Sequence, residues 1–191
     1  MTVYALRNDF EKYQDLDYEI LDILNAAPEG TGVDNIVKFS INNTAMKSWW
    51  KAPHTQFIKN EGVKDSVIPE ICCWNDATLV LSPKAYRLLG DTLGHSGELL
   101  PVIVGDDTYY IFNCLEFGKE DEEKCRFEYI DGERYGIEYL EFAPGVEDKL
   151  VFKSKLESCV TLFCNERFKE IVMSYGLMGL VFDKNLIQVF E

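Results

Sequence analysis

Six cysteines, at positions 72, 73, 114, 125, 159 and 164, and two histidines, His54 and His95, are the side chains of this sequence best suited to nucleophilic or metal chemistry. A cysteine attacks as its thiolate and needs a base or a positive charge beside it, so covalent catalysis would have to pair Cys73 or Cys159 with His54 or His95. The spacing supplies no such partnership. Cys72-Cys73 lacks the C-x-x-C separation of a redox pair, and the intervals between the six match no zinc pattern. Most lie in apolar runs such as Ile71-Cys72-Cys73-Trp74 and Phe112-Asn113-Cys114-Leu115, where cysteine behaves as a small hydrophobe. Gly94-His95-Ser96-Gly97-Glu98 has the outline of a nucleophile elbow, but it follows a helical stretch, precedes an extended one, and carries Glu98 where the elbow needs glycine. Gly30-Thr31-Gly32 lacks the third glycine and the preceding strand of a dinucleotide fingerprint and reads as a turn. The expectation is therefore no catalytic residue, no metal ligand and no cofactor.

Acidic residues are the other candidates. The run Glu120-Asp121-Glu122-Glu123 neither alternates its ligands nor turns on a glycine as calcium loops do, so it reads as a solvated loop or as an electrostatic contact surface. Residues 1–25 carry six acids against two bases and residues 116–148 carry twelve against four, which places −12 of the net charge of −14 in two stretches. Such a surface repels phosphate backbones and anionic membranes, and a basic protein is its natural counterpart. The acids expected to meet that partner are Glu116, Glu120, Asp121, Glu122, Glu123, Glu128, Asp131 and Glu133. Trp49, Trp50, Pro53 and His54 form an aromatic cluster better suited to core packing than to contact.

The elements that must position these groups follow from hydrophobic periodicity. Thr2 to Leu6 reads as a strand, Leu16 to Ala27 as a helix, Asp34 to Ile41 as a strand and Thr44 to Lys51 as a short helix. Two segments 83 residues apart, beginning at Thr78 and Thr161, share a strand-cap-helix pattern with Ser82 and Asn165 as N-caps. Ala85, Leu88, Leu89 and Thr92 should form the buried stripe of the first helix, and Phe168, Ile171, Val172 and Tyr175 that of the second, with Gly94 and Gly176 closing them. Between them, Glu98–Val104 and Thr108–Phe117 read as strands joined at Gly105-Asp106-Asp107, and Arg126–Phe142 as a hairpin turning at Asp131-Gly132. The fold class expected is α+β: a largely antiparallel twisted sheet with helices on one face.

At 191 residues, 47% of them hydrophobic, the chain can bury about 70% of its unfolded surface in one domain spanning 1–191 without disulfide or metal staples. Met1 to Phe10 does not read as a signal peptide, and no segment approaches the roughly 18 apolar residues of a membrane span. A reducing, cytoplasmic setting is expected, with free thiols.

Four stretches carry a family likeness: Leu79-Val-Leu-Ser-Pro-Lys-Ala-Tyr-Arg-Leu-Leu; Gly97-Glu-Leu-Leu-Pro-Val with Tyr109-Tyr-Ile-Phe-Asn; Val151-Phe-Lys; and Phe168-Lys-Glu with Gly176-Leu-Met-Gly-Leu-Val-Phe. In this order and spacing, from about Pro69 onward, the chain resembles immunity-protein family 11 of bacterial polymorphic toxin systems. The resemblance implies a protein that binds and neutralises a cognate toxin and has no activity of its own. Cys114-Leu115-Glu116 stands where the family often shows a Leu-Asp element leading to a serine, and residues 1–65 match poorly, so 66–191 is the family-like part. Toxin specificity is expected in these two departures, with 116–133 as docking surface. The rivals are an enzyme using a Cys/His pair and a small-molecule-binding scaffold framed by the two strand-helix units.

Overall fold

Period-two alternation along the strands decides which of three apolar cores each side chain enters. The computed structural model describes residues 2–187. In chain order its elements are β1 (Val3–Asn8), β2 (Asp15–Leu16), α1 (Ile20–Ala26), α2 (Val33–Val37), β3 (His54–Thr55), β4 (Phe57–Ile58), β5 (Ile71–Trp74), β6 (Thr78–Leu81), α3 (Pro83–Leu93), β7 (Gly97–Val104), β8 (Asp107–Cys114), β9 (Arg126–Ile130), β10 (Glu133–Tyr139), a 3-10 turn at Val146–Asp148, β11 (Val151–Lys153), β12 (Leu162–Asn165), α4 (Glu166–Ser174) and β13 (Leu180–Asp183). A five-stranded sheet runs β3-β7-β8-β6-β5, antiparallel except where β3 joins β7. A four-stranded sheet, β11-β12-β1-β13, is antiparallel throughout. β2 pairs with β4 in a small ribbon, and β9 with β10 in a hairpin.

Leu79 and Leu81 of β6, Ile71 of β5 and Phe112 of β8 enter the first core, where they meet Ala85, Leu89 and Leu93 of α3, Phe168 and Val172 of α4, and Tyr4, Leu6, Leu162 and Cys164 of the four-stranded sheet. The intervening Cys72, Val80 and Ile111, with Leu100 and Val102 of β7, turn to the opposite face. There they meet Ile23 of α1, Ile36 of α2, Phe39 and Met46. Ala5, Phe152 and Phe163 point the other way from the first core and pack with Leu140, Phe142 and Val146 in a third. The class is α+β, with mostly antiparallel sheets. α3 lies on one face of the five-stranded sheet and α4 against β12 of the four-stranded sheet, the two meeting in the first core, while the short N-terminal helices cover the other face of the five-stranded sheet.

The two strand-cap-helix units are equivalent. The Ser82 hydroxyl accepts from the Ala85 amide at 3.2 Å and the Asn165 side-chain oxygen from the Phe168 amide at 2.9 Å, each at the start of its helix. α4 ends in a Schellman arrangement: Gly176 N–H donates to Met173 and Leu177 N–H to Val172, with Gly176 at φ +59. Tyr175, expected in the buried stripe, is the exposed C-cap residue, so that stripe stops at Val172.

Leu16, expected at the start of the first helix, lies in β2, and α1 begins at Ile20; two further local expectations are overturned. Asp34 to Ile41 is helical at Val33–Val37 and then turns, because its two buried apolar residues, Ile36 and Phe39, stand three apart. Thr44 to Lys51 forms turns instead of a helix. The Met46 and Lys47 amides donate to the Glu98 carboxylate at 2.6 and 2.9 Å, and Trp50 anchors by its indole N–H on the Pro101 carbonyl at 2.8 Å. Met46 is buried, and Trp49 and Trp50 pack against the same core, so the aromatic cluster is largely packing.

Candidate protein-docking surface

Asp131 and Gly132, at φ +52 and +86, make the two-residue left-handed turn that suits the twist of an antiparallel hairpin. Phe127 and Ile137 are partners across β9 and β10 and pack against the third core, which fixes the base of the hairpin. The rest projects outward. Register shifts on β10 leave Tyr135 and Glu138 as extra residues, and a bulge of this kind re-aims the side chain it carries. Tyr135 is 75% exposed, Tyr129 63% and Ile130 54%. Arg134 stacks on the Phe127 ring at 3.6 Å and Arg126 on Tyr139 at 4.8 Å, so the hairpin's own arginines are engaged within it. Glu128, Asp131 and Glu133 are exposed around the aromatic tip. A groove of about 780 Å³ runs beside the hairpin, lined by Tyr135, Ile137, Leu156, Glu157 and Val160 among others.

The eight acids singled out in the sequence are not equivalent. Glu116 pairs with Lys149. Glu120 accepts from the Ser154 hydroxyl at 2.6 Å and from the Leu156 amide at 3.3 Å, which ties it to the loop after β11. Asp121 is half-buried and pairs with Lys124 at 2.7 Å. Glu122, Glu123, Glu128, Asp131 and Glu133 face solvent. The acidic run is thus half structural: its first two members hold the chain, and its last two, with the three hairpin acids, are available to a partner.

The thiols and histidines lie in settings unlike a nucleophile's. Burial pushes Cys73 up to about 12 and Cys114 and Cys159 up to about 11, and it drives Cys72 and Cys164 up as well. His54 is exposed on β3, and His95 is exposed with its Nδ1 on the Asp91 carbonyl at 2.7 Å. No histidine bonds a cysteine among the described residues. The Gly97 of the elbow-like motif has a packing role, since a Cβ there would stand 2.2 Å from the Asn113 carbonyl oxygen of the neighbouring strand.

Two buried charges were not legible in the sequence. Glu98 adds a third donor, Asn113 Nδ2 at 2.9 Å, to the Met46 and Lys47 amides, and so clamps the 44–47 turns to β7 and β8. Lys153 is fully buried, donates to the Ser40 carbonyl and lies 4.8 Å from the Phe117 ring; desolvation lowers its pKa. Tyr129 and Tyr135 were also missed. A faint signal existed, since apolar residues occupy both alternation sets of β9 and one set of an outlying hairpin must face water.

No family model matches the chain, and no curated protein matches it. Among the described residues, no helix is long and apolar enough to cross a membrane.

Proposed function

We propose that this chain is a cytoplasmic immunity protein that binds a cognate toxin with a basic surface and neutralises it by occlusion, with the β9–β10 hairpin at the centre of the contact. The observation that carries the reading is the tip itself: Tyr129, Ile130 and Tyr135 exposed together, ringed by Glu128, Asp131 and Glu133. Exposed aromatic anchors inside a polar rim are the residues that dominate binding energy in protein interfaces. The acidic rim supplies long-range attraction for a basic partner and repulsion of polyanions. The family resemblance of residues 66–191 supports the toxin as the class of partner.

The test replaces Tyr135 with a photo-crosslinking phenylalanine derivative in the native cell and identifies the protein captured. That protein is expected to arrest growth when expressed alone, and this chain should relieve the arrest. The double variant Tyr129→Ala/Tyr135→Ala should fold and fail to protect. A captured protein without toxicity, or full protection by the folded double variant, would refute the proposal.

A further inference from the structure

The two acidic stretches, 1–25 and 116–148, are far apart in sequence, yet each contributes to a groove bordering the same short segment, Val160–Thr161. The first groove, about 830 Å³, is lined by Phe10, Asp15, Tyr18, Leu21, Trp74 and Val160 among others. The second is the groove beside the hairpin, which also ends on Val160 and Thr161. Val160 is 57% exposed, and Phe10 and Leu21 are 55% and 62% exposed in the first groove. Three exposed apolar side chains therefore line the first groove, and one of them, Val160, borders the second as well.

The segment bearing Val160 is held rigidly. Ser158 and Cys159 both take left-handed backbone, at φ +61 and +57, which non-glycine residues keep only where their surroundings impose it. The Cys159 amide donates to Ser154 at 2.8 Å, and its carbonyl accepts from the Ala77 amide and the Ser40 hydroxyl, each at 3.1 Å. The Glu157 carboxylate accepts from both the amide and the hydroxyl of Thr161, at 3.0 and 2.6 Å. Val160 thus sits at the apex of a loop bonded on both sides, with Cys159 buried beneath it. An apolar side chain fixed in advance loses little further entropy on being covered.

We infer that the docking surface extends from the hairpin across Val160 into the groove between the β1–β2 segment, the start of α1 and Trp74, and that one basic protein segment bearing apolar side chains covers both grooves at once. This deepens the proposed function and rests on it. Charge complementarity commits the occupant: Asp15, Glu19 and Asp76 outnumber Arg7 in the first groove, which therefore suits a basic segment, whereas Glu128 and Glu157 are matched by Arg134 and Lys155 in the second, where the apolar side chains of the segment make the contact. Asp15 is partly desolvated, and its carboxyl pKa is raised by burial alone, so a cation from a partner would supply the counter-charge it lacks. Trp74, half-buried and stacked at 5.8 Å on the buried Tyr18, borders the same groove and offers an aromatic face to an arginine or lysine stem.

The experiment titrates the isotope-labelled full chain with a synthetic basic peptide, acetyl-Lys-Leu-Arg-Trp-Leu-Arg-Lys-amide, and follows amide resonances. A control peptide has every lysine and arginine replaced by glutamine. The basic peptide is expected to shift residues around Phe10, Leu21, Trp74, Val160 and Tyr135 with one saturation curve. The variant Val160→Asn, whose neutral side chain is exposed and whose spectrum reports its folding, should weaken binding about tenfold at both grooves. Shifts confined to the hairpin would overturn the inference and leave the proposed function standing. Shifts at neither groove, or equal binding of the glutamine peptide, would overturn both.

Discussion

Glu120 and Glu122 are two residues apart in one acidic run, and the structure gives them opposite consequences. Replacing Glu120 with alanine removes the acceptor of the Ser154 hydroxyl at 2.6 Å and of the Leu156 amide at 3.3 Å. Ser154 is fully buried, so its hydroxyl loses its acceptor out of reach of water. A hydrogen bond to a charged group contributes about 1.5–3 kcal/mol, and the long second bond and the half-buried site place the total near the middle of that range, about 2 kcal/mol. With a urea slope of about 2 kcal/mol per molar, the midpoint of unfolding should fall by about 1 M. The double variant Glu122→Gln/Glu123→Gln touches only solvated side chains and should stay within about 0.5 kcal/mol of wild type. Urea titrations followed by tryptophan fluorescence and circular dichroism compare the two. Equal midpoints for Glu120→Ala and the double variant would refute the division of the run into a structural half and a free half.

Two further outcomes follow from the cores and the caps. Removing the helix caps, Ser82→Ala and Asn165→Ala, should each cost about 1 kcal/mol. Asn165→Ala should be the worse, because its Nδ2 also donates to the Glu147 carbonyl at 2.9 Å; a silent cap in urea unfolding would contradict the equivalence of the two units. The thiols set the alkaline limit. Their folded pKa values lie above the ordinary 9.0, so their stabilisation is complete below pH 9 and is lost as pH rises from 9 toward the folded values of about 11 to 12. The loss per thiol is about 1.4 kcal/mol for each pH unit in that window. Urea midpoints at pH 7.5, 9 and 10 should therefore be flat and then fall steeply, and a midpoint unchanged at pH 10 would contradict the burial of these groups.

Where local chemistry is decisive, the sequence was readable. Ser82 followed by Pro83, Asn165, and the Asp131-Gly132 turn each specify backbone geometry within four residues, and each stands where its type predicts. The β7–β8 turn is tighter than read, with only Gly105 and Asp106 between paired Val104 and Asp107. Segments whose conformation is set by distant partners depart from their local pattern. The 44–51 region resembles a helix until Glu98, about fifty residues away, takes the amides of Met46 and Lys47. The same holds for the candidate surface. Charge in the 116–133 stretch was visible from composition, but which acids are consumed internally depends on Ser154, Leu156 and Lys149, and the exposure of Tyr129 and Tyr135 depends on how far the hairpin projects.

A basic toxin should be drawn to the acidic rim of the hairpin. That attraction is read from the association rate of the purified toxin with wild type and with Glu128→Gln/Asp131→Asn/Glu133→Gln, at about 0.05 M and about 0.5 M salt. These three side chains are exposed, and asparagine tolerates the left-handed backbone of position 131, so the variant should fold as wild type does. Wild type is predicted to associate about tenfold faster than the variant at low salt, with the two rates converging at high salt as the fields are screened. Equal rates at low salt would contradict the account.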